Sequence, residues 1–302
     1  MSPRGHIAVI ANPHSGKGRG HRAAESTIAA LREFGADVRA YAGGSAAETR
    51  ELARQALAAD PDVLVVVGGD GTLSGILDLL ERSDVPVALV PAGTGNDLAR
   101  ALGLPRRDAP AAAALAVRGE VRVIDIGEAR SADRTTLFLS VAALGFDAKV
   151  SDRTNRLRWP RGAMRYYFAL VIELIRLRPL AFRIAIDGEA EHSAPGTLIA
   201  VGNTTSYGGG MPVCAGAEPD DGFLDVVHVG PLSRLRLVRL FPLLLSGRHL
   251  SRPEVTHRRA RSVRVSAPGL VIYADGERIG SESAVLSVRA AALRIMVPTV
   301  GE

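Results

Sequence analysis

Residues 62–100 read DVLVVVGGDGTLSGILDLLERSDVPVALVPAGTGNDLAR. This stretch holds one arrangement twice: a short apolar strand (Val63 to Val67, then Val87 to Val90), a glycine-rich turn and a helical pattern. Where parallel strands end at helix N-termini, unpaired backbone N–H groups face outward and bind phosphate. The pair of turns therefore reads as a cradle for nucleotide phosphates. Gly68, Gly69 and Gly71 let backbone approach a ligand with no Cβ in the way, and Asp70 brings a carboxylate suited to a metal–phosphate complex. Gly93, Thr94, Gly95, Asn96 and Asp97 repeat the design 25 positions on. Either turn alone is as readily a plain strand-to-helix connection; their repetition favours a site. Neither is a Walker A loop, because no Gly-Lys-Ser/Thr follows, and the dinucleotide fingerprint fails because Ser74 stands where its last glycine belongs.

On the N-terminal side, residues 6–11 read as a buried strand leading through NPHSGKGRG into a helix with Ile28, Leu31 and Phe34 on one side and Gly35 as its stop. This first strand–turn–helix unit carries Asn12, Pro13, Ser15, Gly16 and Lys17 in its turn. Another helix is expected over 45–59. On the C-terminal side come a helix ending at Leu102, an alanine-rich helix near 108–118 and a strand over 121–127 that contains Asp125. A carboxylate in a buried strand is costly unless paired, so Asp125 is either a strand-end turn residue or part of a polar network.

Beyond residue 127 the alternation of strand and helix gives way to strands at short spacing. The chain thus reads as an α/β nucleotide-binding domain over 1–127 and an antiparallel β-sandwich domain over 128–302, its last strand packing near the first domain. Strands are expected within LFLSVAALG and over 180–186, 197–202, 222–229, 262–266, 270–275, 284–289 and 292–297, with a helix over 163–177.

At 302 residues and 47% hydrophobic content, the chain is long enough for a substantial core. Its apolar runs are far shorter than the roughly 20 residues of a membrane-spanning helix. The N-terminus enters a strand pattern at once, and Cys214 is the sole cysteine. A cytoplasmic protein, peripherally associated with membrane, is the expectation. The formal charge of +5 raises nucleic acid or an anionic membrane as partner. Only two of the 37 basic residues are lysine, Lys17 and Lys149, and both fall inside motifs.

GGDGT followed by PAGTGND resembles the catalytic domain of the diacylglycerol kinase family, the lipid kinases that include diacylglycerol, sphingosine and ceramide kinases. GGDGT alone is shared with NAD kinases; the GTGND partner is more particular to the lipid kinases. The resemblance continues through NPHSG at 12–16, GFDA at 145–148 and the stretch from 201 to 227. It implies an ATP- and magnesium-dependent kinase acting on diacylglycerol or a related lipid. Asn12, Pro13, Ser15, Gly16, Lys17, Gly68, Gly69, Asp70, Gly71, Thr72, Gly93, Thr94 and Asn96 would contact the nucleotide. It also implies a hydrogen-bonded network of Asp70, Asp97 and Asp125, and a structural magnesium held by Asp221 with the backbone carbonyls of Glu218 and Phe223. Metal-site candidates are therefore Asp221, Glu218, Phe223 and Asp125.

A lipid kinase also needs a proton acceptor. DGE occurs twice, at 187–189 and 275–277, and from sequence alone each is a hairpin turn. In the family the late DGE carries the acceptor, so Glu277 is the expected base, with Asp70 and Asp97 as the other catalytic carboxylates and Glu189 as a decoy. Two positions depart from the family pattern: Ala40 near the end of the second strand, where a threonine is usual, and Ser74 in place of an asparagine. An NAD kinase and a non-catalytic lipid-sensing or nucleic-acid-binding relative are the alternatives.

Arg153, Arg156, Arg158, Arg161 and Arg165, interleaved with Trp159, Tyr166 and Tyr167, lead into an apolar helix. A second stretch, Arg234 to Arg264, carries nine arginines and one acid, Glu254. Arginine beside aromatic residues and leucine fits the interface of an anionic membrane. No nucleic-acid motif is present and aromatic content is only 4%, poor for base stacking, so no nucleic acid is expected. A homodimer is left open.

Overall fold

The structure, a computed structural model, describes residues 6–12, 18–157, 159 and 163–299. Pro13, Ser15, Gly16 and Lys17 lie outside the described residues, as do Arg158 and Arg161. The chain divides into two compact units, Met1–Asp125 with Ala291–Glu302, and Ile126–Ala290.

In the first unit β1 (His6–Ala11), α1 (Arg19–Glu33), β2 (Asp37–Ala42), α2 (Ala46–Ala58) and β3 (Val63–Gly68) alternate. The short helices α3 (Asp70–Ser74) and α4 (Leu77–Leu80), β4 (Val87–Pro91), α5 (Asp97–Ala101) and α6 (Ala109–Arg118) follow. β1 pairs in parallel with β2 and β3, and β3 with β4. The chain's final strand returns to this unit, where Ile295 pairs with Val87. Every residue of β3 is buried, as a parallel strand covered on both faces requires. Its alternate side chains Val63, Val65 and Val67 join a core with Leu31 of α1 and Ala112, Ala113 and Ala116 of α6. Small alanines let α6 lie close against that face. Ser45 caps α2 by accepting the N–H of Glu48, and Asp108 caps α6 through Ala111.

β5 (Glu120–Ser131) runs from the first unit into the second and pairs there with β6 (Thr135–Phe138). β7 (Val141–Gly145), α7 (Phe146–Arg156) and α8 (Ala163–Ile175) come next, then β8 (Arg183–Ile186), β9 (His192–Ser193), β10 (Leu198–Gly202) and β11 (Leu224–Val229). α9 (Arg234–Leu245), β12 (Val255–Ala260), β13 (Ser262–Ala274) and β14 (Glu277–Val297) complete it. The strands run in the order β12–β11–β10–β7–β13–β14, antiparallel throughout.

Parity sorts their side chains. Ile199, Val201, Leu224 and Val226 enter one core with Phe138, Phe182 and Leu286, whereas Leu198, Ala200, Val227 and Val229 enter another beneath α9. Both faces are thus covered, which accounts for unbroken apolar runs in an antiparallel sheet.

The observed strands differ from the expected ones, which lack β9 and β12. LFLSVAALG is two strands, β6 and β7, and β8 begins at Arg183 instead of residue 180. The expected strands 262–266 and 270–275 are one, with a bulge between Ser266 and Val271 at Gly269, whose φ is +68°. Those at 284–289 and 292–297 are likewise one strand.

Candidate active site

The two glycine turns of the first unit touch. A Cβ built on Gly93 would lie 2.5 Å from the Cα of Gly69, and one on Gly69 would lie 2.8 Å from the Cα of Gly93. Two parallel strand ends therefore converge backbone to backbone, an approach open only to glycine. A Cβ on Gly68 would meet the Thr72 side chain at 2.5 Å, whereas Gly71 has nothing within 4 Å and faces open space.

The second turn is shaped by Asn96, which sits in the left-handed region at φ 52°. Its side chain accepts the N–H of Gly93 at 3.1 Å and donates back to the Gly93 carbonyl at 3.2 Å. Asp70 ties the turns together: its carboxylate accepts the backbone N–H of Asp97 at 3.0 Å and of Leu98 at 3.3 Å. This caps α5 with a negative charge at its positive end. Asp97 is buried, with Arg100 3.8 Å away on the next turn. Thr94 is exposed at the lip.

Asn12 closes β1 by donating its N–H to the Val67 carbonyl, and Arg19, at the start of α1, donates to the Gly93 carbonyl at 2.9 Å. Three strand-to-helix junctions thus converge. Arg19 escaped the sequence reading because it is a single arginine in an arginine-rich chain. Asp125 is buried and accepts the N–H of Ala291 at 2.7 Å, where that residue adopts φ 53°. Ala40 lies exposed on β2, and Ser74 ends α3.

In the second unit the two DGE turns are alike in backbone and different in what their glutamates do. Asp187–Gly188 and Asp275–Gly276 both have positive φ, 46° and 82° against 48° and 86°, as a two-residue hairpin turn demands. Each aspartate anchors its turn. Asp275 accepts the N–H groups of Leu139 and Ser140 at 2.8 and 3.0 Å, and Asp187 accepts those of Arg261 and Ser262. Glu189 is held by both guanidinium nitrogens of Arg258, at 2.8 and 3.0 Å. Glu277 is exposed, and its side chain makes no hydrogen bond or ion pair among the described residues. A carboxylate engaged by a bidentate arginine is a poor proton acceptor; Glu277 is available.

α7 packs beside the Glu277 hairpin. Tyr273 donates its hydroxyl to Asp152 at 3.1 Å, and Asn155 reaches the Gly276 carbonyl at 3.5 Å. Next to these residues lies a cavity of about 270 Å³ lined by Lys149, Asp152, Arg153, Arg156, Leu157 and Glu173. Arg153 pairs with Glu173 and Arg156 with Asp152, which leaves Lys149 as the lining cation without an ion pair among the described residues.

Asp147 of the GFDA motif is buried and accepts the Tyr207 hydroxyl at 2.9 Å, pinning that motif to the loop after β10. Burial pushes its carboxyl up to about 7, against the opposing effect of the Tyr207 hydrogen bond.

The loop expected to hold a structural magnesium is closed another way. Asp221 accepts the Phe223 N–H at 2.9 Å on one oxygen and pairs with Arg259 through the other. Arg259 and Arg261 flank the Phe223 ring, their guanidinium carbons 4.7 and 5.3 Å from its centroid. No group of three His, Cys, Asp or Glu side chains among the described residues could hold a metal. With a guanidinium on its only carboxylate, the donor set of Glu218, Asp221 and Phe223 does not fit a divalent cation.

Residues 6–129 match the diacylglycerol kinase catalytic domain, and residues 140–297 match the YegS C-terminal NAD kinase beta sandwich-like domain. A diacylglycerol kinase of Mycobacterium tuberculosis is 44% identical over 298 residues, covering 98% of this chain and 96% of the relative. A Pseudomonas fluorescens protein described as a probable lipid kinase, YegS-like, is 32% identical over 278 residues, 90% of each chain. A crystal structure of a diacylglycerol kinase from Bacillus anthracis matches with a TM-score of 0.70 at 19% identity, over 98% of both chains. That likeness is one of fold. It agrees with the α/β nucleotide-binding domain and β-sandwich expected from the sequence.

Proposed function

The chain belongs to the diacylglycerol kinase catalytic-domain family, and on that premise we propose that it transfers the terminal phosphoryl group of ATP, with magnesium, to the hydroxyl of diacylglycerol or a related lipid. The product is of the phosphatidic acid type. The observation that carries the reading is the contact between the Gly69 and Gly93 turns, packed so closely that neither admits a Cβ, with Gly71 facing open space and the Asp70 carboxylate binding the start of α5 beside them. Such a cradle fits a polyphosphate.

When bound, ATP supplies the phosphoryl group and magnesium neutralises the phosphate charge. The backbone of Gly68, Gly69, Gly71 and Gly93, with Asn12, Thr72, Thr94 and Asn96, holds the triphosphate, joined by Pro13, Ser15, Gly16 and Lys17. Asp70 and Asp97 supply the carboxylates for the metal, and Asp125 fixes the backbone at Ala291. The acceptor oxygen forms the new bond to phosphorus, the bond to the departing ADP oxygen breaks, and Glu277 takes the hydroxyl proton. Glu277, whose side chain has no hydrogen bond or ion pair among the described residues, set against the arginine-bound Glu189, supports that choice. The cavity beside the Glu277 hairpin suits the polar end of the acceptor.

The test is phosphate transfer from labelled ATP and magnesium to diacylglycerol, monoacylglycerol, sphingosine, ceramide and polyprenol in mixed micelles, with free NAD alongside. Labelled diacylglycerol is the expected result. Label on NAD alone, or on no acceptor, would overturn the proposal.

A further inference from the structure

α8 is built inside out. Its sequence, AMRYYFALVIELI, has eleven apolar residues and one acid, yet among residues 164–175 only Ala169 and the acid Glu173 are buried. Met164, Tyr167, Phe168, Val171 and Ile175 are 45–63% exposed. Their spacing of three, four, seven and eleven residues places them on one helical stripe, with Glu173 on the opposite side, where it pairs with Arg153 of α7. A helix facing water carries the reverse pattern. α9 adds Leu235, Val238 and Leu245, each more than half exposed, and its first turn is tied to the end of α8 by Arg234, which donates to the Leu174 carbonyl at 3.2 Å. Ten of the twelve large exposed apolar residues among those described belong to these two helices and Trp159.

We propose that the apolar stripe of α8, extended by α9, docks the protein onto an anionic lipid leaflet. The inference deepens the lipid-kinase reading by naming the surface that meets the lipid. Charge selects this occupant over another protein surface. Residues 163–178 carry three arginines and one acid, and residues 234–252 carry five arginines and no acid. Arg176, Arg178 and Arg239 are exposed and form no ion pair among the described residues. An apolar stripe bordered by unpaired arginines suits acyl chains below and phosphate headgroups at the rim. No helix among the described residues is long and apolar enough to cross a membrane, so the stripe lies on the leaflet.

The experiment is flotation of the full chain with vesicles of phosphatidylcholine alone, or mixed with phosphatidylglycerol, for the wild type, Phe168→Asp/Val171→Asp and Arg176→Gln/Arg239→Gln. The wild type is expected to float with the mixed vesicles and to be released by salt. Each double variant should bind at least about tenfold more weakly with an unchanged melting temperature, because the altered side chains touch little of the core. Three results would overturn the proposal: equal flotation on both vesicle types, unaltered binding by the stripe variant, or a stripe variant that converts a dimer to a monomer in sedimentation velocity while its vesicle binding stands. Flotation without phosphorylation of any lipid would support docking while refuting the assigned activity.

Discussion

Asp147 shows how much one side chain settles. It is a carboxyl in an apolar site, hydrogen-bonded to Tyr207, and burial outweighs that bond in raising its pKa from 3.8 to about 7. Between those values the folded chain keeps a proton that the unfolded chain has released, so stability falls as pH rises from about 4 to about 7 and levels off above. Asp147→Asn removes that slope, on the order of 4 kcal/mol or less across the window. The check is the difference in unfolding free energy between wild type and variant against pH. Parallel profiles would refute the assignment. Sequence singled out this residue through GFDA but could not reveal its partner, 60 positions away on a loop. The same holds for Asp275, which secures a hairpin to residues 135 and 136 positions earlier.

Elements with a strong period were legible and those shaped by their surroundings were not. β1, β3, β4 and α2 follow from apolar runs, caps and glycine stops. β12 reads VTHRRA, with only its first and last residues buried; an edge strand rich in arginine has no apolar alternation to betray it. α7, FDAKVSDRTNR, buries only Asp147, Ala148 and Val150 and offers too few apolar positions to display a helical period. In β14 the left-handed residues Glu282 and Ala291 break the alternation that marks a strand.

The glycine turns were legible singly, but their mutual contact was not, because it is a property of two strand ends together. It yields a contrast between two variants. Gly93→Ala forces a Cβ onto the Gly69 backbone and should cost roughly 1–3 kcal/mol, lowering the melting temperature by several degrees and ATP affinity at least about tenfold. Gly71→Ala meets nothing within 4 Å and should leave the melting temperature in place. Equal melting temperatures for the two variants would contradict the backbone contact.

Across the full chain the glycine turns belong to one compact unit and the two DGE hairpins to the other, so no single unit holds every group the proposed reaction needs. The nucleotide half was readable because backbone chemistry leaves glycines in the sequence. In the sequence only family resemblance separates Glu189 from Glu277; the structure adds a physical difference, an arginine on Glu189 and none on Glu277 among the described residues. The most direct measurement is the initial rate of phosphate transfer to diacylglycerol for the wild type, Glu277→Gln and Glu189→Gln, each checked for an unchanged fold. Glu277→Gln should lose about 10²- to 10⁴-fold in rate with ATP binding intact, and Glu189→Gln should stay near the wild type. Full activity in Glu277→Gln, or its loss in Glu189→Gln, would contradict the assignment of the late hairpin as the proton acceptor of a lipid kinase.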